Sequence, residues 1–148
     1  MFSMKLEALF YVRDKQLYKI SDNSLVSIDS LQRIEVKWSE LELEEDSYNE
    51  EFLAALRENL KKLEVLQKFA FIEPVADKPL KDDTSEEAFI KAFNHCARRV
   101  KDCTNLVGMS LEAKLLHPKN FMETLAVKHE QYVYFSHDEN AENNIVKY

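Results

Sequence analysis

The sequence predicts an α/β fold: a short parallel sheet of about four strands with crossover helices, preceded by a small antiparallel β meander. Three observations predict it. Residues 31–75 read as one strand-helix-strand unit, residues 79–136 repeat that construction, and residues 5–29 hold short aromatic and β-branched runs separated by polar turns.

In the meander, Leu9, Phe10, Tyr11 and Val12 stand on one side of Arg13-Asp14-Lys15-Gln16, and Leu17, Tyr18 and Ile20 on the other. Two strands around a polar turn follow, because aromatic and branched side chains suit a pleated surface and aspartate suits a turn. Residues 21–24 make a second turn and residues 25–28 a third strand.

Residues 31–38 alternate, with Ile34, Val36 and Trp38 on one face and Arg33, Glu35 and Lys37 on the other. That is a strand with one dry face. Over residues 49–68, Phe52, Leu53, Leu56, Leu60, Leu63 and Leu66 recur at helical spacing and give a long helix one apolar stripe. Ser47 and Glu50, three apart, form a capping-box pair for its start. The apolar run of residues 69–72 is a strand covered on both faces, stopped by Glu73-Pro74 because proline cannot donate to a ladder.

The next unit begins with a second capping-box pair, Thr84 and Glu87. Phe89, Ile90, Phe93, Cys96, Ala97 and Val100 then mark an amphipathic helix broken by Thr104-Asn105. Residues 106–111 are the third strand. Pro118 opens another helix, where its missing N–H and fixed φ cost nothing, with Phe121, Met122, Leu125 and Ala126 turned inward. Residues 131–136 are the fourth strand. From His137 the chain is a polar tail that returns to apolar residues only at Ile145 and Val146, so the core of this single domain (1–148) spans residues 31–136.

Strands alternating with helices through short connections imply a parallel sheet with right-handed crossovers. Two forms satisfy this, an open doubly wound sheet and a half barrel; a complete barrel takes ~250 residues, so the chain has length for about half of one. The charged face of residues 31–38 fits neither simply. It has three explanations: an edge position, a barrel-like interior with polar contents, or a surface that meets another subunit.

Composition removes several functions. The formal charge of −7 excludes a general nucleic-acid binder, and the best basic run, Arg98-Arg99 with Lys101, suits the last turn of a helix. With 45% hydrophobic residues the chain can fill one core without metal or disulfide staples. No apolar stretch approaches the ~20 residues of a membrane span, and residues 1–7 lack the pattern of a secretory signal, so the expectation is a cytoplasmic protein with no membrane partner.

Gly108 is the only glycine. Glycine-rich phosphate loops need several, so nucleotide cofactors bound in that way are excluded and no cofactor is expected. Cys96 and Cys103, seven apart in one helical pattern, lie about 10 Å apart at the usual rise and cannot bridge each other. Without CxxC or paired cysteine-histidine spacing, they read as buried thiols and no metal is expected. The seven acids between Glu40 and Glu51 interleave with Leu41 and Leu43 and are expected along a solvated edge.

Ligands of parallel sheets meet the carboxyl ends of the strands. By that rule the candidate ligand-binding residues are Trp38, Glu40, Glu73, Ser110 and His137 with Asp138. Each also has an ordinary structural role open to it: Trp38 as half core and half lid, Glu73 as a strand-terminal charge, His137-Asp138 as a solvated pair. Ser110 has no assignable histidine, so no catalytic residue is named.

Trp38-Ser39-Glu40-Leu41-Glu42, followed by Glu45-Asp46-Ser47-Tyr48-Asn49-Glu50-Glu51-Phe52-Leu53, resembles part of the cellulase-like glycoside hydrolases. In those barrels a strand ending in a tryptophan-serine pair leads through an acidic loop and a tyrosine into a long helix and another strand. The likeness runs to Glu73, about a third of the chain. It implies a shortened barrel relative with Trp38 as a sugar platform and Glu73 as a hydrogen-bond acceptor. Ile72 stands where the family has an asparagine before its glutamate, and no second glutamate follows a strand to complete the carboxyl pair that glycoside hydrolysis needs.

The expectation is therefore a non-catalytic α/β binding or interaction domain, partnered by a second copy of itself or by another protein. The alternative is a shortened cellulase-like glycoside hydrolase relative that binds or acts on carbohydrate.

Overall fold

The computed structural model describes residues 6–148. Residue 5, where the meander is expected to begin, and most of the stretch weighed as a secretory signal lie outside the described residues.

Strands β1 (Phe10–Arg13) and β2 (Gln16–Lys19) form an antiparallel hairpin closed by Asp14 and Lys15, both at positive φ, 51° and 65°. Two left-handed residues in a two-residue loop make the turn whose twist matches that of the flanking strands. Strand β3 (Leu25–Val26) completes the meander against β2.

The chain then runs β4 (Gln32–Lys37), α1 (Trp38–Leu41), β5 (Glu42–Glu44), β6 (Ser47–Tyr48), α2 (Glu50–Val65), β7 (Ala70–Val75), α3 (Asp83–Arg99), β8 (Leu106–Ser110), α4 (Pro118–Ala126), β9 (Val133–Ser136) and β10 (Val146–Lys147). The main sheet is all parallel, in the order β4-β7-β8-β9-β10, and β5 pairs with β6 in a separate antiparallel ribbon. Each new strand is added at the same edge. This is the winding of a half barrel, not of a doubly wound sheet, whose strand order reverses.

The two faces confirm it. Val36, Ala70, Ile72, Leu106 and Met109 pack with Leu56 and Leu60 of α2, Phe89 and Phe93 of α3, and Phe121 and Leu125 of α4. Phe71, Val107, Phe135 and Val146 pack instead with Phe10 and Leu17 of the meander. All three long helices thus cover one face, and the meander covers the other. On the meander side Phe71 stacks on Phe135 at 4.2 Å between centroids.

Several local expectations change. The N-cap of α2 is Asn49, whose Oδ1 accepts from Phe52 N–H at 3.1 Å, because Ser47 is held in β6. Helix α2 stops at Val65 rather than running to residue 68. Gln67 takes a left-handed φ of 58°, and the bonds from Lys68 N–H to Leu63 O and from Gln67 N–H to Glu64 O close a Schellman motif. Asp82 and Ser85 form the capping box of α3, so Thr84 and Glu87 lie inside the helix.

Helix α3 ends at Arg99, which puts Cys103 beyond it; both cysteines are buried and free. Strand β7 passes through Pro74 to Val75 instead of stopping there. Its pairing with β8 ends at Ile72–Met109, so the missing proline N–H falls past that ladder, while pairing with β4 continues to Lys37–Val75.

The last five residues of the expected polar tail include a fifth strand, β10, parallel to β9. Two apolar residues are too few to show strand periodicity in sequence. The charged face of β4 is explained by its place at the edge of the sheet, where Arg33, Glu35 and Lys37 are exposed. Among the described residues, no helix is long and apolar enough to cross a membrane.

Candidate functional site

Side chains two apart in a strand share a face. The face that carries Phe71, Phe135 and Val146 beneath the meander therefore continues, two residues later, into Glu73, His137 and Tyr148. Met109 faces the helices, so Ser110 joins them. These four side chains meet at the carboxyl ends of β7, β8, β9 and β10. There they line a cavity of about 650 Å³ walled further by Leu115, Met122 and Ile145.

Gly108 sets the spacing of this floor. Strand β8 carries one residue more than β7 across the pairs Ala70–Leu106 and Phe71–Gly108, and a Cβ on Gly108 would lie 1.7 Å from the carbonyl oxygen of Val133. Only glycine lets β8 and β9 approach this closely.

Tyr148 spans the site. Its hydroxyl donates to Glu73 Oε2 at 2.5 Å, and its ring stacks on His137 at 3.8 Å and meets Phe71 edge-on at 5.2 Å. Burial, and then the bond to the Glu73 carboxylate, push the phenol well above its ordinary pKa, so it acts as a hydrogen-bond donor. Glu73 is 16% exposed, with Arg33 Nη1 at 3.8 Å and His137 Nε2 at 3.7 Å. His137 Nδ1 lies 2.8 Å from the backbone oxygen of Tyr148.

Ser110 is 1% exposed, and its hydroxyl makes no hydrogen bond of good geometry, though it lies close enough to the Tyr148 phenol to oppose in part the rise in that group's pKa. The other acids of the cavity hold loops. Glu112 accepts from Ala76 N–H at 2.8 Å and from Lys114 N–H at 3.3 Å, and Asp138 accepts from Asn140 N–H at 2.9 Å. Glu142 lies 3.6 Å from Lys119 Nζ.

The structure thus brings Glu73, Ser110 and His137 together and leaves Trp38 and Glu40 elsewhere. Strand β4 ends at Lys37, and Trp38 opens α1, which turns its indole into the helix-side core. Trp38 is 4% exposed, packs edge-to-face on Phe89, has Lys78 Nζ over its ring at 4.8 Å, and donates to Glu42 Oε1 at 2.9 Å. Glu40 is exposed on α1, away from the cavity. Glu42 departs from the expected solvated acidic edge, being buried against Trp38 with Lys78 Nζ at 3.7 Å. Sequence reasoning misses Tyr148; the available signal is the two-residue step from Val146.

Among the described residues, no three histidine, cysteine or carboxylate side chains converge as a metal site requires. Compared with known proteins, the chain matches no family model and no curated protein. The cellulase-like likeness rests on its own residues alone.

Proposed function

We propose that this is a non-catalytic ligand-binding domain whose ligand, a small polar molecule, sits at the carboxyl ends of β7, β8 and β9. The observation that carries this reading is Ser110. Its buried hydroxyl makes no well-formed hydrogen bond, with the Tyr148 phenol beside it, and the residue stands in the wall of a cavity roomy enough for a small ligand. Glu73 adds a second acceptor on the same wall.

The arrangement supports binding over catalysis. Ser110 has no hydrogen bond to His137, whose ring nitrogens face Tyr148 and Glu73, so a nucleophile with its base is missing. The other acids that line the cavity each hold a backbone N–H group or a lysine, which weighs against their use as the second carboxyl of a catalytic pair.

The test is the melting temperature of the purified protein against a panel of polyols, amines, carboxylates and phosphates. A ligand at ~100 times its dissociation constant stabilises the native state by ~2.7 kcal/mol. The expected result is a shift for at least one class that Ser110→Ala removes. A panel with no shift in any class, or a shift untouched by Ser110→Ala, overturns the assignment.

A carbohydrate ligand competes for the same cavity; with Trp38 in the core, a sugar would meet Glu73, Ser110 and Tyr148 instead. Two free buried thiols suit a reducing cytoplasm. Assembly along the open edge of β4 is the remaining interaction-domain reading, against which its alternating charges weigh. Light scattering that returns a monomer at every concentration removes it.

A further inference from the structure

Resting on that reading of the cavity, we propose that its ligand is a small organic cation: an alkyl ammonium group carried on an apolar body.

The charge on the wall selects for it. Glu73, Glu112, Asp138 and Glu142 line the cavity against a single lysine, Lys119, which Glu142 holds at 3.6 Å. Engagement with backbone N–H groups orients Glu112 and Asp138 without neutralising them. Arg33 beside Glu73 and Lys119 beside Glu142 offset two of these four charges, so the wall keeps a net negative charge that disfavours a phosphate or carboxylate ligand. Neutral alcohols meet no such barrier, but gain nothing from it.

Local chemistry points the same way. Glu73 receives one hydrogen bond, from Tyr148 to Oε2; Arg33 and His137 lie beyond hydrogen-bond reach at 3.8 and 3.7 Å. A carboxylate accepts several donors, so this mostly buried group has capacity left on the cavity side. Ser110 Oγ, independent of that charge, 1% exposed and without a hydrogen bond of good geometry beside the Tyr148 phenol, is a second oxygen on the same wall. An ammonium group carries three donors and no acceptor, which matches a carboxylate beside a hydroxyl oxygen. Leu115, Met122 and Ile145 provide the dry wall against which an apolar body packs.

The experiment uses three probes on one scaffold: phenethylamine, phenethyl alcohol and phenylacetate. Binding is followed by melting temperature and by chemical-shift titration. The expected order places the amine at least about tenfold tighter than the alcohol, with no binding of the acid, as a charge-assisted hydrogen bond implies. Raising salt from about 0.05 to about 0.5 M should weaken the amine and leave the alcohol unchanged.

Glu73→Gln should cost the amine about tenfold and the alcohol little. Asp138→Asn, which keeps an oxygen for Asn140 N–H, gives an independent reading of the wall charge should Glu73→Gln destabilise the fold. Equal or tighter binding of the alcohol, with both probes lost in Ser110→Ala, overturns the cationic class and leaves the pocket in place. Tighter binding of the acid overturns it as well. If all three probes fail and the broader panel is flat, pocket and class fall together.

Discussion

Tyr148 donates its hydroxyl to Glu73 at 2.5 Å, so a residue following the last strand is bonded to the end of β7, with β8 and β9 lying between. Tyr148→Phe keeps the ring contacts with His137 and Phe71 and removes only the donor. A hydrogen bond to a charged group contributes about 1.5–3 kcal/mol, and partial exposure puts this one near the lower end. The urea midpoint should fall accordingly, and Glu73→Gln should cost less in that background than in the parent. An unchanged midpoint would show that the contact adds no stability.

Gly108→Ala sets a Cβ 1.7 Å from the backbone oxygen of Val133. Backbone cannot step aside as a flexible side chain does, so β8 and β9 must separate under the site. We expect a loss above about 3 kcal/mol, seen as low soluble yield or a collapsed melting transition. A variant that melts with the parent would mean the two strands are further apart than described.

Burial pushes the Cys96 thiol up to about 12 and the Cys103 thiol to about 11. Both should resist a thiol reagent at about pH 8 in the native state and react together once the chain is unfolded in urea. Fast labelling of one cysteine in the folded protein would reveal local opening at the end of α3.

Arg57 donates to both oxygens of Asp102, at 3.1 and 2.5 Å, tying α2 to the turn after α3. These bonds hold the Asp102 carboxyl below its ordinary value. The folded value is the lower one, so the contribution is complete above the unfolded value of about 3.9 and is lost as pH falls through the folded value. The gap in melting temperature between the protein and Asp102→Asn should be open at about pH 6 and narrow progressively as pH falls below the unfolded value of about 3.9. It will be small, because the pair is half-exposed and screened. A gap that persists in acid would assign the effect to something other than this charge.

Hydrophobic spacing makes the sheet, its three long helices and the meander legible in the sequence, because each presents a period that only one element satisfies. Local competition decides the rest. Two side chains can serve as a cap within one short stretch, and Asn49 prevails over Ser47 because the ribbon of β5 and β6 claims Ser47. Of the residues named by the rule that ligands meet strand ends, Glu73, Ser110 and His137 fall in one cavity because β7, β8 and β9 are adjacent. For Trp38 and Glu40 it depends on where β4 ends: one residue decides whether an indole continues a strand or opens a helix into the core. Strand β10 holds two residues and Tyr148 lies just beyond it, so neither carries a pattern that reveals it alone.

Lys15, at the tip of the first hairpin, donates its N–H to Asn143 O at 2.9 Å and accepts from Lys147 N–H at 3.0 Å. The first hairpin and the segment of residues 143–147 are therefore joined through main-chain atoms. While the protein is being made, the hairpin leaves the ribosome long before residues 143–148 exist, and Leu17 and Phe10 must wait with only part of their cover. The cavity gains the wall that Ile145 and Tyr148 supply only once that segment has been made, so the hairpin and the cavity both wait for residues 143–148.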